Sequence, residues 1–226
     1  MAQELFDLSA EYDRMLNQGL MVTGESKDFF ARGRLADLKA TLPPGFSPSA
    51  VLDFGCGTGG TTRALAQAFP AAEVTGTDTA QNALAYAREH VGVPNARFVT
   101  PDRLEASRYD LAYVNGVFHH IEARNRVAAA KLVYDALRPG GRFAFFDNNP
   151  WNPGTRLLHR LVPFDRDATF VYVSDARRIL AEAGFDQLAP ARFLFIFPRA
   201  LASLRFLEGP LASLPFGAQY HIDAVK

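Results

Sequence analysis

Cysteine is almost missing from this chain of 226 residues: Cys56 stands alone. An internal disulfide is excluded, and a lone thiol fits a reducing compartment. The five histidines are scattered and, with one cysteine, offer none of the spacings of a zinc site, so no metal is expected. An excess of one charge is also missing. Lys and Arg total 24 and Asp and Glu total 24, which leaves no domain-wide field for nucleic acid or an anionic membrane. No nucleic-acid partner is therefore expected. No apolar run approaches the length of a membrane span. The opening stretch "MAQELFDLSAEYDRML" carries charges throughout and lacks the apolar core of a signal peptide. The expectation is a cytoplasmic protein with no membrane partner. Oligomeric state is left open.

What the sequence does have is alternation. Hydrophobic residues make up 48% and charged residues 21%, ordinary values for a folded domain. Residues 1–48 read as a helical cap segment closed by the breaker cluster "LPPGFSPS". From Ala50 short apolar runs alternate with amphipathic ones. "AVLDF", "EVTGTD", "ARFVT", "YDLAYVNG" and "RFAFFD" read as strands. Thr61–Phe69, Ala80–Val91 and Asn125–Leu137 read as the helices between them, the last ended by Pro139-Gly140-Gly141. Such alternation needs crossover connections. It predicts an α/β, Rossmann-like, doubly wound and mainly parallel sheet of seven strands, with helices on both faces and an antiparallel C-terminal strand. Residues 49–147 would form the core and 148–173 a Pro/Asn-rich loop insertion. Residues 174–226 would hold a helix N-capped by Ser174 and ended at Gly184, then the strands "ARFLFIF" and "AQYHIDAV". The whole is read as one domain.

The most informative stretch is "VLDFGCGTGG". Gly55, Gly57 and Gly60 satisfy the G-x-G-x-x-G of a dinucleotide-binding turn, which would suit an NAD(P)-dependent oxidoreductase. Gly55, Gly57 and Gly59, with Asp53 ahead of them, satisfy a second pattern, in which an acid in the strand precedes G-x-G-x-G. A tight strand-to-helix turn with no ligand would need similar glycines. Asp78, closing "VTGTD", lies where an acid can accept from both hydroxyls of a ribose, because a carboxylate accepts and does not donate. It could equally cap the following helix.

"VLDFGCGTGG", "VTGTD", "YDLAYVNGVFHHI", "LRPGGRFAFFD" and "ILAEAGF" occur in that order. Together they resemble the class I S-adenosylmethionine-dependent methyltransferases of small-molecule type, from Ala50 to about Phe185. Asp53 and the Pro-Gly-Gly before the fifth strand are the distinctive parts, and no Y-x-x-x-K pair supports hydride chemistry. The resemblance implies S-adenosyl-L-methionine as cofactor and S-adenosyl-L-homocysteine as product. It implies that Gly55, Gly57 and Gly59 pass beneath the methionine part, with Cys56 and Thr58 lining the turn and Asp53 ordering it. Asp78 would hold the ribose beside Thr79. Asp102 would accept from the adenine amino group, with Arg103 against the ring. Asn115 would offer its backbone carbonyl to the ammonium group.

Methyl transfer from a sulfonium is an in-line displacement with an excellent leaving group. Alignment of the reactants alone contributes about 7–11 kcal/mol. A base matters only for an acceptor that must lose a proton. His119 and His120, just after the fourth strand, are the candidates, with His120 preferred; packing and bracing roles are the alternatives for both. The acceptor is expected to be a small molecule methylated on a hydroxyl. It would be lined by Tyr12, Asn148 and Trp151, with Asn149, Asn152 and His159 nearby, and Arg32 could meet the cofactor carboxylate. A non-catalytic module that only binds the adenosyl cofactor is the remaining alternative.

Overall fold

The computed structural model describes residues 24–161 and 168–226. The first described helix, α1 (Lys27–Thr41), leads into β1 (Ala50–Phe54), and units of strand and helix follow: α2 (Gly60–Ala68), β2 (Glu73–Thr77), α3 (Gln81–His90), β3 (Ala96–Val99). Then come β4 (Tyr109–Asn115), α4 (Arg126–Ala136), β5 (Leu137–Asn148), α5 (Pro153–Leu161) and α6 (Val173–Ala183). Two short strands, β6 (Gln187–Leu188) and β7 (Arg192–Leu194), precede β8 (Gln219–Val225). The sheet order is β3-β2-β1-β4-β5-β8-β6, with β7 paired on β8. The first five strands are mutually parallel, and β8 runs antiparallel to β5, β6 and β7.

Every residue of β1 is buried, as a strand covered on both faces requires. Successive residues of the central strands feed opposite layers. Val51, Leu111, Ala144 and Phe146 pack with Leu38, Leu65 and Ala66 of α1 and α2. Leu52, Ala112, Phe143 and Phe145 pack with Ala130, Val133, Ile179 and Leu180 of α4 and α6. The strand period of two thus sorts one run into two cores. Order reverses between β1 and β4, and in such sheets the crevice at that switch, outside the carboxyl ends of the strands, takes ligands.

Five expectations are corrected. The described sheet has eight strands rather than seven, because the chain leaving α6 adds β6 and β7 against β8. The fifth strand begins at Leu137, and Pro139-Gly140-Gly141 lies inside it. A register shift on β4 between Tyr109 and Leu111 absorbs the turn. Ser174 is not the N-cap of α6; Tyr172 holds that position without a side-chain cap, while Gly184 takes the left-handed C-cap at φ 112°. "ARFLFIF" is strand only to Leu194. Phe195 turns out at φ 62°, its ring 4.9 Å from that of Phe30 and 5.8 Å from that of Phe29 on α1. The segment 148–173 also carries the helix α5.

Candidate functional site

The turn from Gly55 to Gly59 links β1 to α2 at the switch point. Backbone N–H groups of Gly55 and Cys56 donate to the Thr77 carbonyl at 2.8 and 3.0 Å, which ties the turn to the end of β2. Gly57 and Gly59 sit at φ 51° and 82°, in the left-handed region that side chains avoid. Their surroundings differ. A Cβ on Gly59 would lie 2.6 Å from Val91 and 2.9 Å from Phe98, so this glycine serves packing. A Cβ on Gly57 would meet nothing within 4 Å, which leaves its backbone open to a ligand.

Asp78 holds this open turn in shape. One carboxylate oxygen accepts the Gly57 N–H at 2.8 Å and the other accepts the Ala80 N–H at 2.9 Å. Two carboxylate oxygens offer about four acceptor sites, so capacity for a diol is left. Thr79 beside it is exposed and Thr58 partly exposed. Beneath the turn Asp53 is 2% exposed and accepts from the Thr62 hydroxyl at 2.6 Å. Burial pushes its carboxyl up to about 7, with Asp78 adding to the rise and Thr62 and Arg34 opposing it. Burial likewise pushes the Cys56 thiol up, a poor setting for a reactive sulfur. Asp102 and Arg103 lie in a one-turn helix after β3, both exposed and 3.5 Å from each other. Hydrogen bonding from Thr100 holds the Asp102 carboxyl below its ordinary value.

Across the switch point the strand ends carry side chains instead of a backbone turn. Gln219, opening β8, donates to Asn115 at 3.4 Å and to Asn148 at 3.2 Å. Arg34 of α1 reaches the same group, donating from Nε to the Tyr113 hydroxyl at 3.1 Å and from Nη1 to Gln219 at 3.0 Å. Burial pushes Tyr113 up to about 12, so its hydroxyl stays protonated. Past Asn115, a one-turn helix Phe118–His120 presents both histidines. His119 is buried, and its Nδ1 lies 2.5 Å from Asp147 of β5. Its Cε1 is 3.5 Å from where a Cβ on Gly116 would stand. The His120 ring lies 4.2 Å from that of His119, and that of His159 5.4 Å. Asp147 thus braces His119; the sequence reading preferred His120 as the base.

The Asn-Pro-Trp-Asn-Pro run is a tether. Asn149 is buried and donates to the carbonyls of Pro215 and Gly217 at 3.1 and 2.7 Å. Asn152 donates to Phe216 at 2.7 Å and accepts the Thr155 N–H at 3.0 Å at the start of α5. Trp151 is 66% exposed. Arg32 is exposed, and the buried arginine of α1 is Arg34. Tyr12 lies outside the described residues. Among the described residues no three His, Cys, Asp or Glu side chains are grouped to hold a metal ion. No described helix is long and apolar enough to cross a membrane.

Arg34, Tyr113, Asp147 and Gln219 were not picked out as site residues in the sequence. The available signal was a charge at a position where α1 buries one face: Arg34 is one turn before Leu38.

A profile described as "Methyltransferase domain" matches residues 52–143. The trans-aconitate 2-methyltransferase of Variovorax paradoxus is 34% identical over 149 residues, 62% of this chain and 56% of that protein. The enzyme of the same name from Deinococcus radiodurans is 41% identical over 110 residues, 48% of this chain and 41% of that protein. The chain thus spans about half the length of these relatives. Among solved structures, an S-adenosylmethionine-dependent methyltransferase of Thermotoga maritima superposes with a TM-score of 0.70 over 100% of both chains at 18% identity. That likeness is one of fold.

Proposed function

We propose that this chain, whose residues 52–143 match a methyltransferase domain, is a class I S-adenosylmethionine-dependent enzyme that methylates an oxygen of a small-molecule acceptor. The observation that carries the reading is the open backbone at Gly57 beside the carboxylate of Asp78. A chain can approach closely only where no Cβ intervenes, and a vicinal diol suits an acceptor-only group. When bound, S-adenosylmethionine supplies a methyl group activated on a sulfonium. The protein's own contribution is to hold the adenosine end at Asp78 and Asp102 and the amino-acid end along Gly55–Gly59 and Asn115. It must also align the acceptor and keep water out.

For a hydroxyl acceptor, His119 is the side chain fitted to take the proton. A bond from Nδ1–H to Asp147 favours the tautomer with its lone pair on Nε2 and stabilises the imidazolium once a proton arrives. A second reading, a carboxylate acceptor, is supported by the names of the relatives and by the buried cation Arg34. A carboxylate needs no base. The two readings therefore separate in the response to His119→Gln: about 100-fold or more lost in kcat for a hydroxyl acceptor, little change for a carboxylate one.

The cofactor is tested first, by calorimetric titration with S-adenosylhomocysteine, S-adenosylmethionine and NADH in parallel. Micromolar binding of the adenosyl ligands is expected, and Gly57→Val, which fills the open space, should abolish it. Binding of NADH alone would refute the methyltransferase reading.

A further inference from the structure

The four most exposed large apolar side chains among the described residues are Phe206 at 75%, Trp151 at 66%, Phe216 at 57% and Leu157 at 49%. Single exposed apolar residues are ordinary, whereas a shared patch marks an interaction surface. These four come from two segments bonded to each other, one following β5 and one preceding β8. Asn149 donates to the carbonyls of Pro215 and Gly217, Asn152 to that of Phe216, and the Thr155 hydroxyl to that of Ala218. The first segment leaves the carboxyl end of β5 after Asn148, and the second enters the antiparallel β8 at the facing Gln219. Both therefore lie on the rim where the crevice opens.

Charge is segregated on this rim. Zero net charge forbids a field over the whole domain but not a local one. The helix α5 buries Thr155 and His159 and turns Arg156, Leu157 and Arg160 outward. The two arginines, four residues apart on one face, repel each other, and neither is in an ion pair among the described residues. Residues 149–160 contain no Asp or Glu. The second segment adds the exposed Arg199, while its Arg205 is already paired with Glu25 at 2.6 Å. Its one acid, Glu208, is partly buried and accepts the Phe197 N–H at 2.9 Å.

We infer that this rim docks the chain on an anionic lipid surface, with the crevice opening toward it. Aromatic rings and a leucine enter the boundary between headgroups and acyl chains, and the guanidiniums stay among anionic headgroups. A second copy is a poorer occupant, since a twofold contact through this patch would set unpaired cations against the same cations. The inference is independent of which group the crevice transfers. The expectation of no membrane partner rested on net charge and on the length of apolar runs, and neither measure sees a surface assembled from two distant segments.

Trp151 is the chain's single tryptophan, so its emission reads this rim directly. The full chain is titrated with vesicles of phosphatidylcholine alone and with vesicles of phosphatidylcholine and phosphatidylglycerol in equal parts. A blue shift that saturates with the anionic vesicles and weakens with added salt is expected. Arg156→Gln combined with Arg160→Gln should weaken that binding about 30-fold, at about 5-fold per charge. Phe206→Ser combined with Phe216→Ser should weaken it at least about 10-fold. All four positions are exposed, so both double variants should keep the wild-type Tm. Unshifted emission of the wild-type chain with anionic vesicles overturns the inference, as does unchanged vesicle affinity in either double variant. A shift that grows with protein concentration in the absence of vesicles assigns the rim to a second copy and overturns it too. So does a shift as large with polyglutamate or an oligonucleotide that survives the phenylalanine changes, which would assign the arginines to an acidic macromolecule.

Discussion

The two halves of the crevice are built by different means. On the β1–β2 side the surface is backbone: a five-residue turn from Gly55 to Gly59, clamped by one carboxylate 21 residues away. On the β4–β5–β8 side it is side chain. Arg34, Tyr113, Asn115, Asn148 and Gln219 are joined over separations of 79, 185, 104 and 71 residues. A backbone turn tolerates most neighbours but not the loss of its glycines. A side-chain network tolerates backbone variation but depends on each member's identity. The first half suits an invariant ligand such as a cofactor, and the second suits an acceptor that differs from enzyme to enzyme.

The comparison breaks most visibly within the turn itself. Gly59→Ala places a methyl 2.6 Å from Val91 at a positive φ and should cost about 2–4 kcal/mol of stability, read by urea unfolding. Its neighbour Gly57 has open space. Gly57→Ala should therefore bear only the backbone strain, about 1–2 kcal/mol, while losing adenosyl-ligand affinity. Equal stability losses for the two would mean that both glycines serve packing, and the proposed cradle would be gone.

A smaller effect sharpens the electrostatic contrast between the halves. Asp53 has an ordinary value of 3.8 when unfolded and one pushed to about 7 by burial in the native state. Between these values the native state keeps a proton that the unfolded chain has lost. Stability should then fall as pH rises through that window, by at most about 1.4 kcal/mol per pH unit, and level off above it. Asp53→Asn removes the titration, so its unfolding free energy should change less with pH over the same window. Parallel slopes for variant and wild type would show that Asp53 does not hold the proton. The smallest effect belongs to the rim. Trp151, two-thirds exposed, should lose less than about 0.5 kcal/mol of stability on change to alanine. A weaker KM for an identified acceptor would then make it part of the acceptor surface, and an unchanged KM would leave it outside.

Which parts were legible follows the same division. The parallel core could be read because apolar runs, glycines and prolines act on their own neighbours in the chain. The order Asp53, Gly55–Gly59 and Asp78 appeared in place for that reason. Errors collected where long-range pairing decided local structure. Phe195 left its strand to pack against Phe29 and Phe30, and Leu137 left its helix to pair with Tyr109. Trp151, expected at the acceptor site, is exposed, and its neighbours Asn149 and Asn152 perform the tethering.

By itself the sequence determined a parallel α/β sheet, a left-handed glycine turn after β1 and an acid at the end of β2. Each depends on dihedral preferences and periodicities that a few consecutive residues carry. Only the tertiary structure decided that Asp147 braces His119, and that Arg34 rather than Arg32 is buried against Tyr113 and Gln219. It alone brought Gln219 between Asn115 and Asn148. The Gln219 contacts exist because β8 inserts antiparallel beside β5: the sequence marked that last strand, but the residues it faces are set by the register of the folded sheet.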